Sequence, residues 1–231
     1  MPAMTQEKTQ TDLYIRQLSF WPHLSTPEKT LLNNNTRTVR YAAGAQVHQG
    51  TLDCIGVLLV KSGQLRVYSL SEDGRDVTLY RIFAGDMCVL SASCVLQAIT
   101  FPVNIDAEED TEVLRIDAPT FRKLAQDNIY VRCFGYETAA GRLSDILWKM
   151  QQILFLSADK RLAIFLLEES AKTGSDTIHL THEQIARYMG SAREVVSRLM
   201  KYFSQEGYVK TGRGQLQLLD KTGLQRLAGQ D

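Results

Sequence analysis

The stretch that decides the fold is THEQIARYMGSAREVVSRLMKYFSQEGYV, residues 181–209. Thr181 is followed three residues later by Gln184, which is the spacing of a capping box and predicts that a helix begins at Thr181. Gly190 predicts the end of that helix, and the S-A-R-E sequence at 191–194 has capping-box spacing again, which predicts a second helix directly after it. Two helices joined by a short turn that contains glycine are typical of a helix-turn-helix, whose second helix can enter the major groove of DNA.

The start of the predicted second helix carries side chains that can hydrogen-bond to base edges. Arg193 and Arg198 can each donate two hydrogen bonds to a guanine, and the Glu194 carboxylate can accept one from a cytosine amino group. Two roles stay open for Glu194: contact with a base, or a cap for its own helix. We expect seven residues to contact DNA: Thr181, Ser191, Arg193, Glu194, Ser197, Arg198 and Lys201.

The segment 181–213 is basic although the chain as a whole is not. It holds six Lys and Arg residues against three Asp and Glu, whereas the full chain has 26 of each. A basic face is what contact with phosphates requires, but a solvated helix face would explain the same charge. The runs at 207–210 and 213–216 predict a β-hairpin wing after the second helix.

The middle of the chain has the texture of a β-protein. Between Val39 and Pro119, short β-rich runs alternate with glycines, a pattern typical of an antiparallel sandwich or barrel. The sequence S-E-D-G at 71–74 has the composition of a hairpin turn, because its glycine can adopt a positive φ.

From residue 128 to residue 154 the apolar residues follow a helical period. Ile129, Tyr136, Leu143 and Met150 recur every seven residues. Apolar neighbours three or four positions further on widen this seam: Cys133, Ala139, Ala140, Ile146, Leu147, Ile153 and Leu154. Such a seam favours a coiled-coil contact between two copies of the chain; the alternative is a helix that packs on its own barrel.

These patterns predict an α+β protein with three parts: a β-barrel domain at 1–127, a dimerisation helix at 128–156 and a winged helix-turn-helix domain at 157–231. No apolar run approaches the roughly 18 residues that a membrane span needs. The first residues lack the basic and apolar parts of a secretion signal, so we expect a cytoplasmic protein. The four cysteines show no C-x-x-C spacing, and we expect neither a zinc site nor structural disulfides.

The order of these motifs resembles the CRP/FNR family of bacterial transcription regulators over about residues 15–228. The resemblance rests on AGAQV at 43–47, LVKSGQLRVY at 59–68, SEDGR at 71–75, Gly85-Asp86, the long helix and the winged helix-turn-helix. It implies a jelly-roll barrel of the cyclic-nucleotide-binding type and a homodimer that pairs through the long helix. The implied partners are double-stranded DNA, RNA polymerase, which family members recruit or block, and a small-molecule effector.

The same resemblance assigns roles to individual residues. Arg193, Glu194 and Arg198 match the family's base-reading positions. The E-x-x-S-R pattern at 194–198 is closer to the FNR branch, which implies operator half-sites with a TGA core. The hairpin residues Glu72 and Asp73 lie where family members contact RNA polymerase; a solvated turn is the alternative.

The chain departs from the family at its effector sites. Cyclic-AMP receptors pair the cyclic phosphate with an arginine, and the matching segment 85–95 has none, so we do not expect cyclic AMP. No cysteine precedes Cys54, so we do not expect an N-terminal iron-sulfur cluster. We expect the effector at Cys88, Val89, Leu90, Ser91 and Cys94. Two interpretations stay open: a sensor that uses thiol chemistry or haem, or packed cysteines beside a pocket for an apolar or carboxylic effector.

Two other classes of protein fit the pattern less well. A cupin-type enzyme needs two or three histidines and a carboxylate on barrel strands, and of the four histidines only His48 lies in a predicted strand. A cyclic-nucleotide-binding module without DNA function would leave the two capping-box sequences and the basic helix edge unexplained. We therefore expect a DNA-binding regulator without catalytic activity.

Overall fold

The computed structural model describes residues 13–50, 55–72, 74, 76–88 and 103–229. The chain divides into two compact units, one of residues 1–70 and 79–146 and one of residues 71–78 and 147–231. These described ranges contain no candidate for a membrane-spanning helix. Over the same ranges, no three His, Cys, Asp or Glu side chains cluster in a way that could hold a metal ion.

The first unit is built on two four-stranded sheets, in the orders β1-β8-β3-β6 and β2-β7-β4-β5. The pairs β1–β8, β3–β8, β2–β7 and β4–β7 are antiparallel. The predicted antiparallel barrel is therefore confirmed. The strands are β1 Thr36–Tyr41, β2 Gln46–His48, β3 Val57–Ser62, β4 Leu65–Leu70, β5 Asp76–Ile82, β6 Met87–Cys88, β7 Asn104–Ala107 and β8 Thr111–Ile116.

Apolar side chains from both sheets meet in one core. Leu58 and Val60 on β3 face Val67 on β4 and Ile105 on β7, and all four are fully buried. Burial of each such side chain contributes about 1.5–3 kcal/mol to the stability of the fold. The turn between β3 and β4 depends on Gly63, whose φ is +85° and where an added Cβ would lie 2.6 Å from the Asp110 carbonyl oxygen.

Among the described residues of this unit, residues 13–16 are helical and a short 3-10 helix covers Trp21–His23. Three longer α-helices belong wholly or in part to the unit: α1 Thr26–Asn34, α2 Ala118–Asp127 and α3 Ile129–Phe155. Helix α1 begins at a capping box of Ser25 and Glu28, in which the Ser25 N–H donates to a Glu28 carboxylate oxygen at 2.7 Å. A second apolar cluster joins the helices to the outer face of one sheet, and its fully buried aromatic members are Phe20 and Phe121.

Helix α3 shows two different apolar faces. Val131 and Ile146 are buried and belong to the two apolar cores of the first unit. Ile129, Tyr136 and Leu143 remain about half exposed, although they are also apolar. The assignment of Ile146 to the intermolecular seam was therefore wrong, since this residue packs into the barrel core of its own chain.

The second unit continues from the end of α3 into seven short elements around a single apolar core. They are α4 Ala158–Thr173, β9 Thr177–Ile178, α5 His182–Met189, α6 Arg193–Gln205, β10 Val209–Gly212, β11 Gln215–Leu218 and α7 Lys221–Ala228. Strands β10 and β11 form an antiparallel hairpin that pairs with β9, which confirms the predicted wing. Tyr188 on α5 and Phe203 on α6 are the largest fully buried side chains in the core of this unit, and they anchor both helices to it.

Candidate nucleic-acid interface

Helix α5 begins and ends as its sequence predicts. The Gln184 N–H donates to Thr181 Oγ1 at 3.2 Å, and the Thr181 N–H donates to Gln184 Oε1 at 2.9 Å. This reciprocal pair satisfies two of the amide groups that a helix start leaves without partners. Gly190 ends the helix with φ +62°, a left-handed conformation that costs glycine little.

Helix α6 begins differently from its prediction. The residue before its first turn is Ala192, and no side chain caps the helix. Ser191 is used instead to close α5, because its N–H donates to the Ala186 carbonyl at 2.9 Å in the pattern of a Schellman motif. The predicted capping box of Ser191 with Glu194 is therefore wrong. The cap role that competed with base contact for Glu194 is not observed, and its carboxylate lies in the first turn of the helix on the exposed side.

Helix α6 separates its apolar residues from its polar residues. Val196, Met200 and Phe203 are buried in the core. The polar residues form two exposed lines at helical spacing: Arg193, Ser197 and Lys201 on one line, Glu194 and Arg198 on the other. Side chains four positions apart lie on the same face of a helix, so these five groups form one continuous polar surface. That surface offers three cations, one carboxylate and one hydroxyl, which together can contact phosphates and base edges.

His182 is a residue of this surface that the sequence reasoning missed. It is the first residue of α5, and its Nδ1 lies 3.1 Å from the Ser197 hydroxyl oxygen, within hydrogen-bonding distance. In the sequence, His182 is one of four histidines that suggest at most a metal ligand. Its position directly after the Thr181 cap could have predicted this contact, since the first helix of a helix-turn-helix begins beside the second helix.

Arg187 is engaged by residues of the 71–78 segment, which belongs to the same unit. The Thr78 hydroxyl donates to the Arg187 carbonyl at 3.1 Å, and Asp76 Oδ2 lies 4.0 Å from Arg187 Nε. Arg187 is one of the six cations of the basic segment 181–213, but its guanidinium has the Asp76 carboxylate beside it. Lys210 and Arg213 of the wing are exposed and add two cations to the surface of the second unit.

One of the predicted effector residues lies inside the barrel. Cys88 on β6 is fully buried, and its Sγ lies 3.9 Å from the Tyr80 hydroxyl. Burial is the main cause that raises the pKa of Tyr80 well above its usual value, and the electrostatic interaction with the Cys88 side chain raises it further. The guanidinium of Arg142 on α3 lies 5.1 Å from the centre of the Tyr80 ring. Val89, Leu90, Ser91 and Cys94 lie outside the residues that the structure describes.

The hairpin predicted to contact RNA polymerase is observed in part. The Gly74 N–H donates to the Ser71 carbonyl at 3.0 Å, which closes the predicted turn, and Glu72 is exposed at its tip. Asp73 lies outside the described residues.

Two domain families match this chain. The cyclic nucleotide-binding domain matches residues 38–128, and the Crp-like helix-turn-helix domain matches residues 160–227. The first covers the barrel and the second covers α5, α6 and the wing. The helix-turn-helix match accounts for the segment that a cyclic-nucleotide-binding module without DNA function would leave unexplained.

Individual relatives cover most of the chain. A crystal structure from Eubacterium rectale, assigned to the Crp/Fnr family of transcriptional regulators, is 44% identical, covers 91% of this chain and 98% of its own, and superimposes with a TM-score of 0.84. Transcriptional activator protein FnrA of Stutzerimonas stutzeri is 27% identical over 75% of this chain and 72% of its own length. FixK2 from Bradyrhizobium japonicum, at 23% identity, shares the fold with a TM-score of 0.71 over 83% of this chain and 96% of its own. The first two of these relatives are transcription regulators rather than enzymes, and this chain belongs to the Crp/Fnr family of transcription regulators.

Proposed function

We propose that this protein is a homodimer that reads a palindromic DNA operator with TGA-core half-sites, under the control of an effector at its β-barrel. The observation that carries the proposal is the division of α6 into a buried apolar face and an exposed polar face. Nothing in the stability of the core requires Arg193, Glu194, Ser197 and Arg198 to share the exposed face. Base readout by the second helix of a helix-turn-helix does require such a set.

The residues of this polar surface of α6 have different proposed roles. Arg193 and Arg198 can each donate two parallel hydrogen bonds to guanine O6 and N7, and Glu194 can accept one from cytosine N4. Lys201, one turn beyond Ser197, has a flexible ammonium group that suits a phosphate. Thr181 and Ser191 lie at the start of α5 and between the two helices, where their side-chain hydroxyls can contact the DNA backbone. Their backbone N–H groups already donate to Gln184 and Ala186.

The exposed apolar face of α3 supports a homodimer. Ile129, Tyr136, Leu143 and Met150 recur every seven residues along the helix, and each is about half exposed in the single chain. Leu147 and Leu154 extend the same face. An apolar ridge of this length is unusual on a monomer, and a second copy of the helix would bury it by self-complementary packing. A twofold axis along α3 then implies an operator of two inverted half-sites about one helical turn, roughly 34 Å, apart or a multiple of that distance.

The barrel is the proposed sensing part, with Cys88, Val89, Leu90, Ser91 and Cys94 at the effector site. Burial of Cys88 against Tyr80 is compatible with a packed cysteine and equally with a thiol that an oxidant or a haem reaches through a structural change. Arg142 lies beside Tyr80, but its guanidinium has Asp86 at 3.7 Å and Asp145 at 3.4 Å. A cyclic phosphate would have to displace these carboxylates, so the charges around Arg142 disfavour cyclic AMP.

The proposed contact with RNA polymerase is through Glu72 and Asp73. The exposure of Glu72 at a hairpin tip supports it, because a side chain in that position contributes little to the fold. Replacement of both residues by alanine should leave operator binding intact and lower activated transcription in vitro.

The experiment that tests base reading compares Arg198→Ala with Lys201→Ala on DNA. The probe is a duplex with two inverted TGA half-sites one turn apart, beside a duplex of the same composition in scrambled order. Arg198→Ala should weaken binding to the specific duplex by about 1–3 kcal/mol and leave scrambled DNA nearly unaffected. Lys201→Ala should weaken both and reduce the dependence of log K on log salt by about 0.9 for one phosphate. Equal losses on both duplexes for Arg198→Ala would contradict the reading role.

A further inference from the structure

The side-chain contact between α5 and α6 carries an inference about sequence specificity. His182 is half-buried at the start of α5, and its Nδ1 is 3.1 Å from Ser197 Oγ on the exposed face of α6. Ser197 lies midway between Arg193 and Lys201 on one line of the polar surface, so its hydroxyl is part of the surface that would face DNA. The first helix therefore holds a polar group of the second helix at the surface.

Hydroxyl groups in other helices show two alternatives, because Ser170 on α4 donates to the Asp176 side chain at 3.1 Å whereas several threonines bond to their own helix. Three threonines in other helices donate to the carbonyl four residues earlier: Thr30 to Thr26 at 3.0 Å, Thr138 to Phe134 at 2.8 Å and Thr173 to Glu169 at 2.9 Å. A serine in a helix has the same option, which for Ser197 is the Arg193 carbonyl. A hydroxyl that takes this option gives its proton to the backbone and lies against the preceding turn of its own helix. The contact with His182 favours a rotamer that keeps the Ser197 hydroxyl available to a ligand.

The chemistry of the imidazole ring gives the contact a second consequence. A hydroxyl has one proton to donate and two lone pairs, and a neutral imidazole has one donor nitrogen and one acceptor nitrogen. If Nδ1 accepts, the Ser197 proton is committed to the ring, and the oxygen offers only lone pairs, which suit a base amino group. If Nδ1 carries the proton and donates, Ser197 keeps its own proton for a base acceptor such as thymine O4 or guanine O6. The state of His182 therefore decides which base edge Ser197 can recognise.

We propose that His182 is a specificity-determining positioning residue, which sets the rotamer and the hydrogen-bond polarity of Ser197 and thereby the base pair that Ser197 recognises. This inference rests on the proposed role of α6 in reading DNA. His182 acts through Ser197 and does not contact the base itself. The competing role is a direct contact between His182 and a phosphate, which would strengthen binding to all sequences alike.

The geometry of the contact supplies a matched pair of variants. In asparagine, the amide atoms lie about as far along the side chain as Nδ1, so His182→Asn can keep the hydrogen bond to Ser197. In glutamine, they lie one bond further out, nearer to the position of Nε2, so His182→Gln removes the contact but stays polar. His182→Ala removes it altogether. A melting temperature measured for each variant shows whether the second unit remains folded.

In the DNA experiment, the wild type and each variant select duplexes from a random-sequence pool, and the base preference at each position is measured. We expect His182→Ala and Ser197→Ala to lose base preference at the same base pair, by roughly two- to tenfold each, with no further loss in the double variant. His182→Asn should retain the preference, and His182→Gln should lose it. A uniform loss on all sequences with a shallower salt dependence would show a phosphate contact and overturn the inference.

A measurement on the free protein separates this inference from the proposed function. The χ1 angle of Ser197, from NMR scalar couplings, should differ between the wild type and His182→Ala, because the freed hydroxyl turns to the Arg193 carbonyl. An unchanged χ1 angle would overturn the positioning role, whatever the DNA experiment shows. If the wild type selects no sequence from the pool, the proposed function fails, and the χ1 measurement still decides whether His182 positions Ser197.

Discussion

The proposed homodimer can be tested by a single charge on the exposed face of α3. Leu143→Asp places a carboxylate on the apolar ridge, at a residue that is 53% exposed in the single chain. Full burial of a leucine side chain contributes about 1.5–3 kcal/mol, so the remaining half contributes roughly 1 kcal/mol per copy on dimerisation. The twofold symmetry places two equivalent carboxylates in one interface, and the desolvation of each without a partner costs about 1 kcal/mol or more. A total of about 4 kcal/mol or more corresponds to a roughly thousandfold weaker dimer.

Ser144→Asp is the matched control for this experiment. It adds the same charge one residue away at an exposed position, and seven residues earlier the chain already carries an acid, Glu137. Sedimentation equilibrium over a range of protein concentrations should find the wild type and Ser144→Asp dimeric and Leu143→Asp monomeric. Circular dichroism should show the same helix content in all three. A Leu143→Asp protein that remains as dimeric as its control would refute pairing along this face.

Four further predictions concern the helix-turn-helix and the barrel. Thr181→Ala removes the hydroxyl that caps α5 and should lower the free energy of unfolding by about 1 kcal/mol in urea titrations, whereas Thr181→Ser should restore it. Because burial raises the pKa of Tyr80, the hydroxyl keeps its proton in the folded state at a pH where the unfolded state releases it, and the free energy of unfolding should fall above about pH 10. Tyr80→Phe should make this decrease with pH smaller. An identical pH profile for the variant and the wild type would contradict the explanation. Millimolar cyclic AMP should leave the melting temperature unchanged, whereas a ligand at 100 times its dissociation constant would add about 2.7 kcal/mol of stability. If Cys88 is the sensor, Cys88→Ser should abolish the response to oxidant while DNA binding persists, and an unchanged response would leave it a packed core residue.

The local signals in the sequence predicted the elements well where the decisive contacts are local. The Thr181 and Gln184 pair caps α5 as their spacing predicts, because both partners lie within one helical turn. The same spacing at Ser191 and Glu194 failed. Ser191 was needed by the preceding helix, whose last carbonyl groups compete for its N–H. The end of α5 and the start of α6 overlap at Ser191, and the contacts at the junction of the two helices determine which of them this residue completes.

The sequence by itself determined the α+β fold class, the helix-turn-helix and the polar edge of its second helix, because hydrophobic period, caps and glycines act over a few residues. Only the tertiary structure decided which apolar side of α3 meets the barrel. Leu143 and Ile146 are equally apolar and three residues apart, yet the first is half exposed and the second is buried. Only the tertiary structure placed His182 against Ser197, 15 positions away along the chain. Contacts of this kind depend on how helices pack, and the free energy of packing is set by shape and volume across elements, to which a pattern along one element is insensitive.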